Sequence, residues 1–134
     1  MDLNAAVRLG RRLAEATFVD TVTVEQHAGA TTDDLGTRTD LWVPVYGGGG
    51  GAPGLVQADA RQPQVADSAG RPVTVLRYIG KVPVEVALRP GIRYRVRVLT
   101  SPDPGNTGIF EGGLAESGES NGLAICRRLH LTRG

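Results

Sequence analysis

RPVTVLRYIGKVPVEVALRPGIRYRVRVLTSPDPG, residues 71–105, decides the fold. Apolar residues, most of them β-branched, recur at every second position: Val73 and Val75, then Val82, Val84 and Val86, then Ile92, Tyr94, Val96 and Val98. A period of two places alternate side chains on one face of a pleated strand, so the stretch predicts consecutive strands separated by breakers. Arg89-Pro90-Gly91 supplies a turn, because proline presets φ and glycine accepts positive φ, and Gly80 marks a bulge or bend. The middle of the chain reads as an antiparallel β unit.

Working outward, the N-terminal side holds three more alternating runs: FVDTVTVEQH at 18–27, LWVPVY at 41–46 and GLVQADARQ at 54–62. Pro44 cannot donate to a ladder, so the second of these is expected at an edge or bulged. On the C-terminal side, IFEGGLAE reads as an irregular strand and LAICRRLHL, 123–131, as the last one. Flexible loops are expected near 28–40, 47–54 and 62–71. Residues 3–17 are the one helical stretch: Leu3, Ala6, Val7, Gly10, Leu13, Ala14 and Thr17 share one face, with Arg8, Arg11, Arg12 and Glu15 opposite, and Asp2 or Asn4 as cap. Such a helix either lies across a barrel end with its arginines solvated or docks them on an acidic partner. The expected fold is mainly β, a small antiparallel barrel or sandwich of about six to seven strands spanning 18–131, preceded by the helix, in one domain.

Composition agrees with this class. At 134 residues, one core is expected. Glycine reaches 19 and proline 8, while only Phe18, Trp42, Tyr46, Tyr78, Tyr94 and Phe110 are aromatic, which favours short strands and turns over helical bundles. A formal charge of +1 gives no bulk attraction toward nucleic acid, membranes or acidic partners. The single cysteine, Cys126, excludes an intrachain disulfide framework and suits a reducing cytoplasm. Arg8, Arg11, Arg12 and Glu15 break any signal-peptide core, and no apolar run approaches the ~20 residues of a membrane span. A soluble chain made inside a cell is expected. The preference for arginine over Lys81 alone reads as genomic GC bias.

Little chemistry is offered. Gly47, Gly48, Gly49, Gly50 and Gly51 are followed by Ala52-Pro53-Gly54, without the Gly-Lys-Ser/Thr that a phosphate loop requires, so a mobile connection is the reading. His27 and His130 lack zinc-site spacing, and Cys126 with His130 would need closer approach than about 13 Å along a strand to act as a nucleophile pair. Asp33-Asp34, Glu116 and Glu119 sit in glycine-containing loops where solvated carboxylates are ordinary. Asp103, Gly105 and Thr107 do not continue into a calcium loop. No enzyme, cofactor or metal is expected. Arg93, Arg95 and Arg97 line one strand face, either as solvated side chains, helped by acidic residues on an adjacent strand or subunit, or as a contact for an acidic partner or DNA phosphate.

The order of these elements resembles the small head-closure proteins of long-tailed bacteriophages, the head-to-tail connector or stopper proteins, particularly those of phages of GC-rich actinobacteria. The likeness rests on the helix running into FVDTVTV, on LWVPVY followed by glycines and GLVQADAR, on RPVTVLRYIGKVPVEV, on GIRYRVRVLTSPDPGNTGIFEGG and on ICRRLHL. It covers nearly the whole chain through loose strand-and-turn patterns. Two departures stand out: Gly91-Ile92 where such proteins often carry Gly-Asp, and the five-glycine run where they have a residue or two. The resemblance implies a β-barrel virion subunit at the head–tail neck, forming a homo-oligomeric, hexameric ring beneath the portal and its adaptor. That ring would close the DNA-filled head and offer a platform to the tail tube or tail-terminator protein. Arg8, Arg11, Arg12, Arg93, Arg95 and Arg97 become candidates for subunit or partner contacts. The glycine run, or the segment holding Gln62, Gln64, Asp67 and Arg71, becomes a candidate to reach into the channel and touch packaged DNA.

Two other classes compete. A nucleic-acid-binding barrel of the oligonucleotide type stacks bases on aromatics beside a basic groove, but Tyr94 points to the face opposite its flanking arginines. A small enzyme would need a pocket joining Cys126 to His27 or His130.

Overall fold

The computed structural model describes residues 2–59, 64–66, 69–74, 76–115 and 126–133. Its elements are α1 (Leu3–Glu15), β1 (Asp20–Thr32), β2 (Arg38–Tyr46), β3 (Ala52–Ala58), β4 (Gln64–Ala66), β5 (Pro72–Thr74), β6 (Tyr78–Val82), β7 (Tyr94–Thr100), a 3₁₀ turn (Pro104–Asn106), β8 (Gly108–Leu114) and β9 (Arg127–Arg133). Six antiparallel strands close a barrel in the order β1-β3-β6-β9-β8-β7 and back to β1, with β2 outside it. The fold is therefore mainly β with one N-terminal helix.

Each barrel strand turns one set of alternate residues inward, as the period-two runs predict. Val22 and Val24 of β1, Val56 of β3, Val82 of β6, Tyr94, Val96 and Val98 of β7, Phe110 of β8 and Leu129 and Leu131 of β9 form one buried cluster. Tyr78 meets the Phe110 ring edge-on at 4.9 Å between centroids. Gly112 lets β8 approach β9: a Cβ there would run into the His130 carbonyl.

The central stretch departs from the expected run of consecutive neighbours. β6 pairs with β3 and β9, whereas β7 pairs with β1 and β8. The alternating valines do not continue as a strand beyond Val82. Pro83 follows it, and the Pro83 carbonyl accepts from Val86 N at 3.2 Å in a turn. Val86 and Leu88 nevertheless remain buried, and Arg89 N donates to the Tyr94 hydroxyl at 2.8 Å, so this segment contributes to the core without a ladder. Periodicity reported burial correctly and strand formation wrongly. Pro72–Thr74 pairs with Gln64–Ala66 in a separate two-stranded ribbon, placing a strand inside the loop expected at 62–71.

The loop expected at 28–40 is a β-hairpin. β1 runs to Thr32 and β2 starts at Arg38, joined by a turn in which Asp33 Oδ1 accepts from Leu35 N at 2.9 Å and from Thr37 N at 2.8 Å. Asparagine and aspartate close turns in this way, and Gly36 supplies the positive φ of +83°. Glu25 and Gln26 pair with β2 on one edge and with β7 on the other, and Thr21 and Val22 pair with both β3 and β7. Hence β2 and β3 follow one edge of β1 as a single path interrupted at 47–51. The interruption is held by Gly51 N donating to the Gly47 carbonyl at 2.9 Å and Thr23 Oγ1 donating to the same oxygen at 2.9 Å. The loop expected at 47–54 thus ends where β3 begins, at Ala52. Among the described residues β2 pairs only with β1, the edge position that Pro44 predicts, and the register skips between Val24 and Glu25.

Asp2 caps α1 by accepting from Ala5 N at 2.6 Å, and the helix ends two residues short of Thr17. It is only partly covered: none of its residues is buried, Val7, Gly10 and Ala14 are half-buried, and Leu3 and Leu13 are 64% and 61% exposed.

Candidate functional site

β7 carries the arginines because its inward set is Tyr94, Val96 and Val98, which leaves Arg95 and Arg97 on the outside with Arg93 just before the strand. Register then decides what they meet. Glu25 of β1 lies directly opposite Arg95, and Glu111 of β8 lies opposite it on the other side. Arg95 donates through Nε and Nη2 to Glu25 Oε1 at 3.1 and 3.0 Å, and both side chains are largely covered. Arg97 Nε stands 3.6 Å from the same oxygen. Arg93 Nη2 donates to Glu111 Oε2 at 2.7 Å, and this hydrogen bond, outweighing desolvation, raises the arginine's pKa further.

Two of the three guanidinium groups, those of Arg93 and Arg95, also organise the base of the hairpin. The Cζ atoms of Arg95 and Arg93 lie 4.6 and 5.2 Å from the centroid of the Trp42 ring, within cation–π range. His27, the cross-strand partner of Trp42, meets that ring edge-on at 5.2 Å. His27 Nε2 is 3.0 Å from Asp40 Oδ1, and Arg38 and Arg93 stand 3.5 and 3.8 Å from the same carboxylate. The His27 hydrogen bond, aided by the two arginines, holds Asp40 below its ordinary carboxylate value. Trp42 is thus the hub of a cluster of alternating charge that ties the hairpin to the barrel wall.

Acidic residues on adjacent strands of the same chain therefore supply the partners that the arginine row requires. Sequence reasoning missed Glu25, His27, Asp40, Trp42 and Glu111 as members, because β1 and β7 lie some 70 positions apart and only their pairing reveals them. As a chemical site the cluster offers ion pairs and a capped indole, and its carboxylates are already occupied by arginine.

The other candidates lie elsewhere. Arg8, Arg11 and Arg12 stay on α1, and the glycine run forms the turn fixed to β1. Gln64 lies in β4 and Arg71 is exposed just before β5, while Gln62 and Asp67 lie outside the described residues, as do Glu116 and Glu119. The structure places the glycine turn on the barrel wall and Gln64 in the separate ribbon. Cys126 is buried immediately before β9, whereas His130 faces outward on it.

A cleft of about 430 Å³ opens beside the start of β1, lined among others by Val19, Asp20, Val56, Tyr78, Asn106 and Arg133. Asp20, Asn106 and Arg133 in it are engaged with one another or with the barrel. Buried Asp20 accepts from Val56 N at 3.0 Å and from Asn106 Nδ2 at 3.4 Å, and Arg133 donates to the carbonyls of Gly105 and Thr107 at 2.9 and 2.7 Å. Among the described residues no three His, Cys, Asp or Glu side chains are grouped to hold a metal ion.

Comparison with curated proteins and with solved structures gives no match. A family's sequence model does match residues 10–109, from the middle of α1 to the start of β8, and so takes in every member of the Trp42 cluster except Glu111. The chain belongs to that family, DUF6093, a family of unknown function.

Proposed function

We propose that the chain is a structural subunit that assembles into a ring at the head–tail junction of a long-tailed phage, closing the filled head and presenting a docking platform to the tail. The observation that carries this reading is the pair of uncovered projections at the two ends of β1. At one end α1 buries none of its residues. At the other, the β1–β2 hairpin extends past the last β7 pairing, Gln26 with Tyr94, to a tip whose Leu35 is 92% exposed. Leucines exposed on both projections give a neighbouring subunit apolar area to cover. The resemblance in element order supplies the identity of the assembly, and rings are built from such heterologous contacts. Portal or adaptor protein above and tail-tube or tail-terminator protein below are the partners this reading names, with packaged DNA passing within.

The nucleic-acid reading has less support. Base stacking needs an open aromatic face, and the cations of Arg93 and Arg95 lie over Trp42. A phosphate track needs uncommitted cations, and Arg93, Arg95 and Arg97 each stand within 4 Å of a carboxylate of the same chain. The test is co-sedimentation of the purified chain with DNA-filled, portal-bearing heads that lack tails, run beside retention on immobilised single-stranded DNA across a salt series. Binding to heads in a fixed copy number supports the proposal. Salt-dependent retention on DNA with no binding to heads would replace it by the nucleic-acid module.

A further inference from the structure

Two surfaces remain uncovered by the barrel, and they are complementary. On α1, Leu3, Leu9 and Leu13 are 64%, 39% and 61% exposed, beside the cationic side formed by Arg8, Arg11 and Arg12. At the hairpin tip, Leu35 is 92% exposed and is preceded by Asp33 and Asp34. One surface is a pair of exposed leucines one turn apart, Leu9 and Leu13, flanked by positive charge. The other is a single projecting leucine flanked by negative charge.

They cannot meet within one chain. α1 leads through four residues into the start of β1, and the tip lies beyond its far end. β1 is 13 residues long, so roughly 40 Å of strand separates them at about 3.3 Å per residue. Any contact between them would therefore be made between copies. Because it joins different surfaces, it repeats head to tail and either closes into a ring or grows as a filament.

We infer that the hairpin tip of one copy docks on α1 of the next, Leu35 seated against Leu9 and Leu13 and Asp34 paired with Arg8 or Arg12. This rests on the ring reading and names the contact by which the ring forms. The occupant is a second copy because its own charge pattern matches: the tip sequence DDLGT, 33–37, carries two acids and no base, and α1 carries three arginines against Glu15. Asp33 is already engaged in closing the turn through Oδ1, which leaves Asp34 as the residue to vary.

The test uses the full chain carrying Leu13→Cys and Leu35→Cys, with the native thiol removed by Cys126→Ala throughout, oxidised in solution and on portal-bearing heads, beside the two single variants. The separation excludes an intrachain bridge, so the double variant is expected to give a covalent ladder that ends at one closed species on heads, and each single variant no more than a dimer. Arg8→Glu with Arg12→Glu should reduce the ladder at least tenfold, and adding Asp34→Arg should restore it. Wild-type chain that binds heads in a fixed copy number, with a double variant that gives no ladder, overturns the docking contact and leaves the ring reading standing. Chain that neither binds heads nor forms a ladder overturns both. A ladder indifferent to the charge reversals overturns the pairing of Asp34 with Arg8 or Arg12.

Discussion

Glu25 is the acid on which the arginine face depends, and replacing it by alanine is the most informative single change. Its Oε1 accepts two hydrogen bonds from Arg95 and has Arg97 within 3.6 Å, with the Glu25 and Arg95 side chains only 11% and 19% exposed. Removing one partner of a well-buried pair costs roughly 3–5 kcal/mol, and a surface pair roughly 0.2–1 kcal/mol. The partial solvation here places Glu25→Ala at about 2 kcal/mol, because an Arg95 released from Glu25 can swing off Trp42 and reach water. For a chain of this size that is a fall in melting temperature of about 6–10 °C. Arg97→Ala, whose side chain is 46% exposed, should cost about 0.5 kcal/mol or less. Trp42 is the only tryptophan, so its fluorescence reports on this cluster alone. Urea titrations of both variants should show Glu25→Ala unfolding at distinctly lower denaturant and its native-state emission shifted to the red as Trp42 loses its cover. A Glu25→Ala midpoint indistinguishable from that of Arg97→Ala, with unchanged emission, would refute the idea that this ion pair clamps the hairpin to the barrel.

The hairpin base should also respond to pH. Asp40 has its pKa held below the ordinary 3.8, chiefly by the His27 hydrogen bond. A carboxyl with a depressed folded-state pKa stabilises the fold at every pH above its unfolded value, and that contribution disappears as pH falls through the folded one. Acid titration below pH 4 should therefore loosen the hairpin in the wild type, and Asp40→Asn should remove that part of the pH dependence; identical Trp42 profiles for the two would contradict it. Gly112→Ala should weaken the β8–β9 seam by about 2 kcal/mol or more, since its methyl would meet backbone, not a movable side chain, at His130. Amide exchange confined to these two strands would show it, and an unaltered exchange pattern would refute the close approach.

The architecture was legible where burial and periodicity coincide. Val22 and Val24, and Tyr94, Val96 and Val98, alternate in sequence and point into the core, and Pro44 correctly predicts an edge. Val84 and Val86 mislead: they follow Pro83 in a turn in which Val86 is buried and Val84 only partly so, and alternation there marks no strand. The hairpin at 28–40 was missed because Ala28, Gly29, Ala30, Thr31 and Thr32 are exposed on it, leaving no hydrophobic alternation to read. The arginine row was visible, but its meaning lay in strand pairing. Only the closure of β7 on β1 sets Glu25 against Arg95, and no local pattern encodes that closure. The apolar face of α1 was read correctly as amphipathic. Sequence alone does not say whether such a face is covered by its own barrel or by another copy.

Imaging tail-less, DNA-filled heads before and after addition of the purified chain tests the proposed ring. A closed ring of this protein beneath the portal is expected, in fixed copy number, with retention of DNA in heads that otherwise leak it. Heads whose portal vertex stays bare at saturating protein, and which release DNA as before, would contradict it.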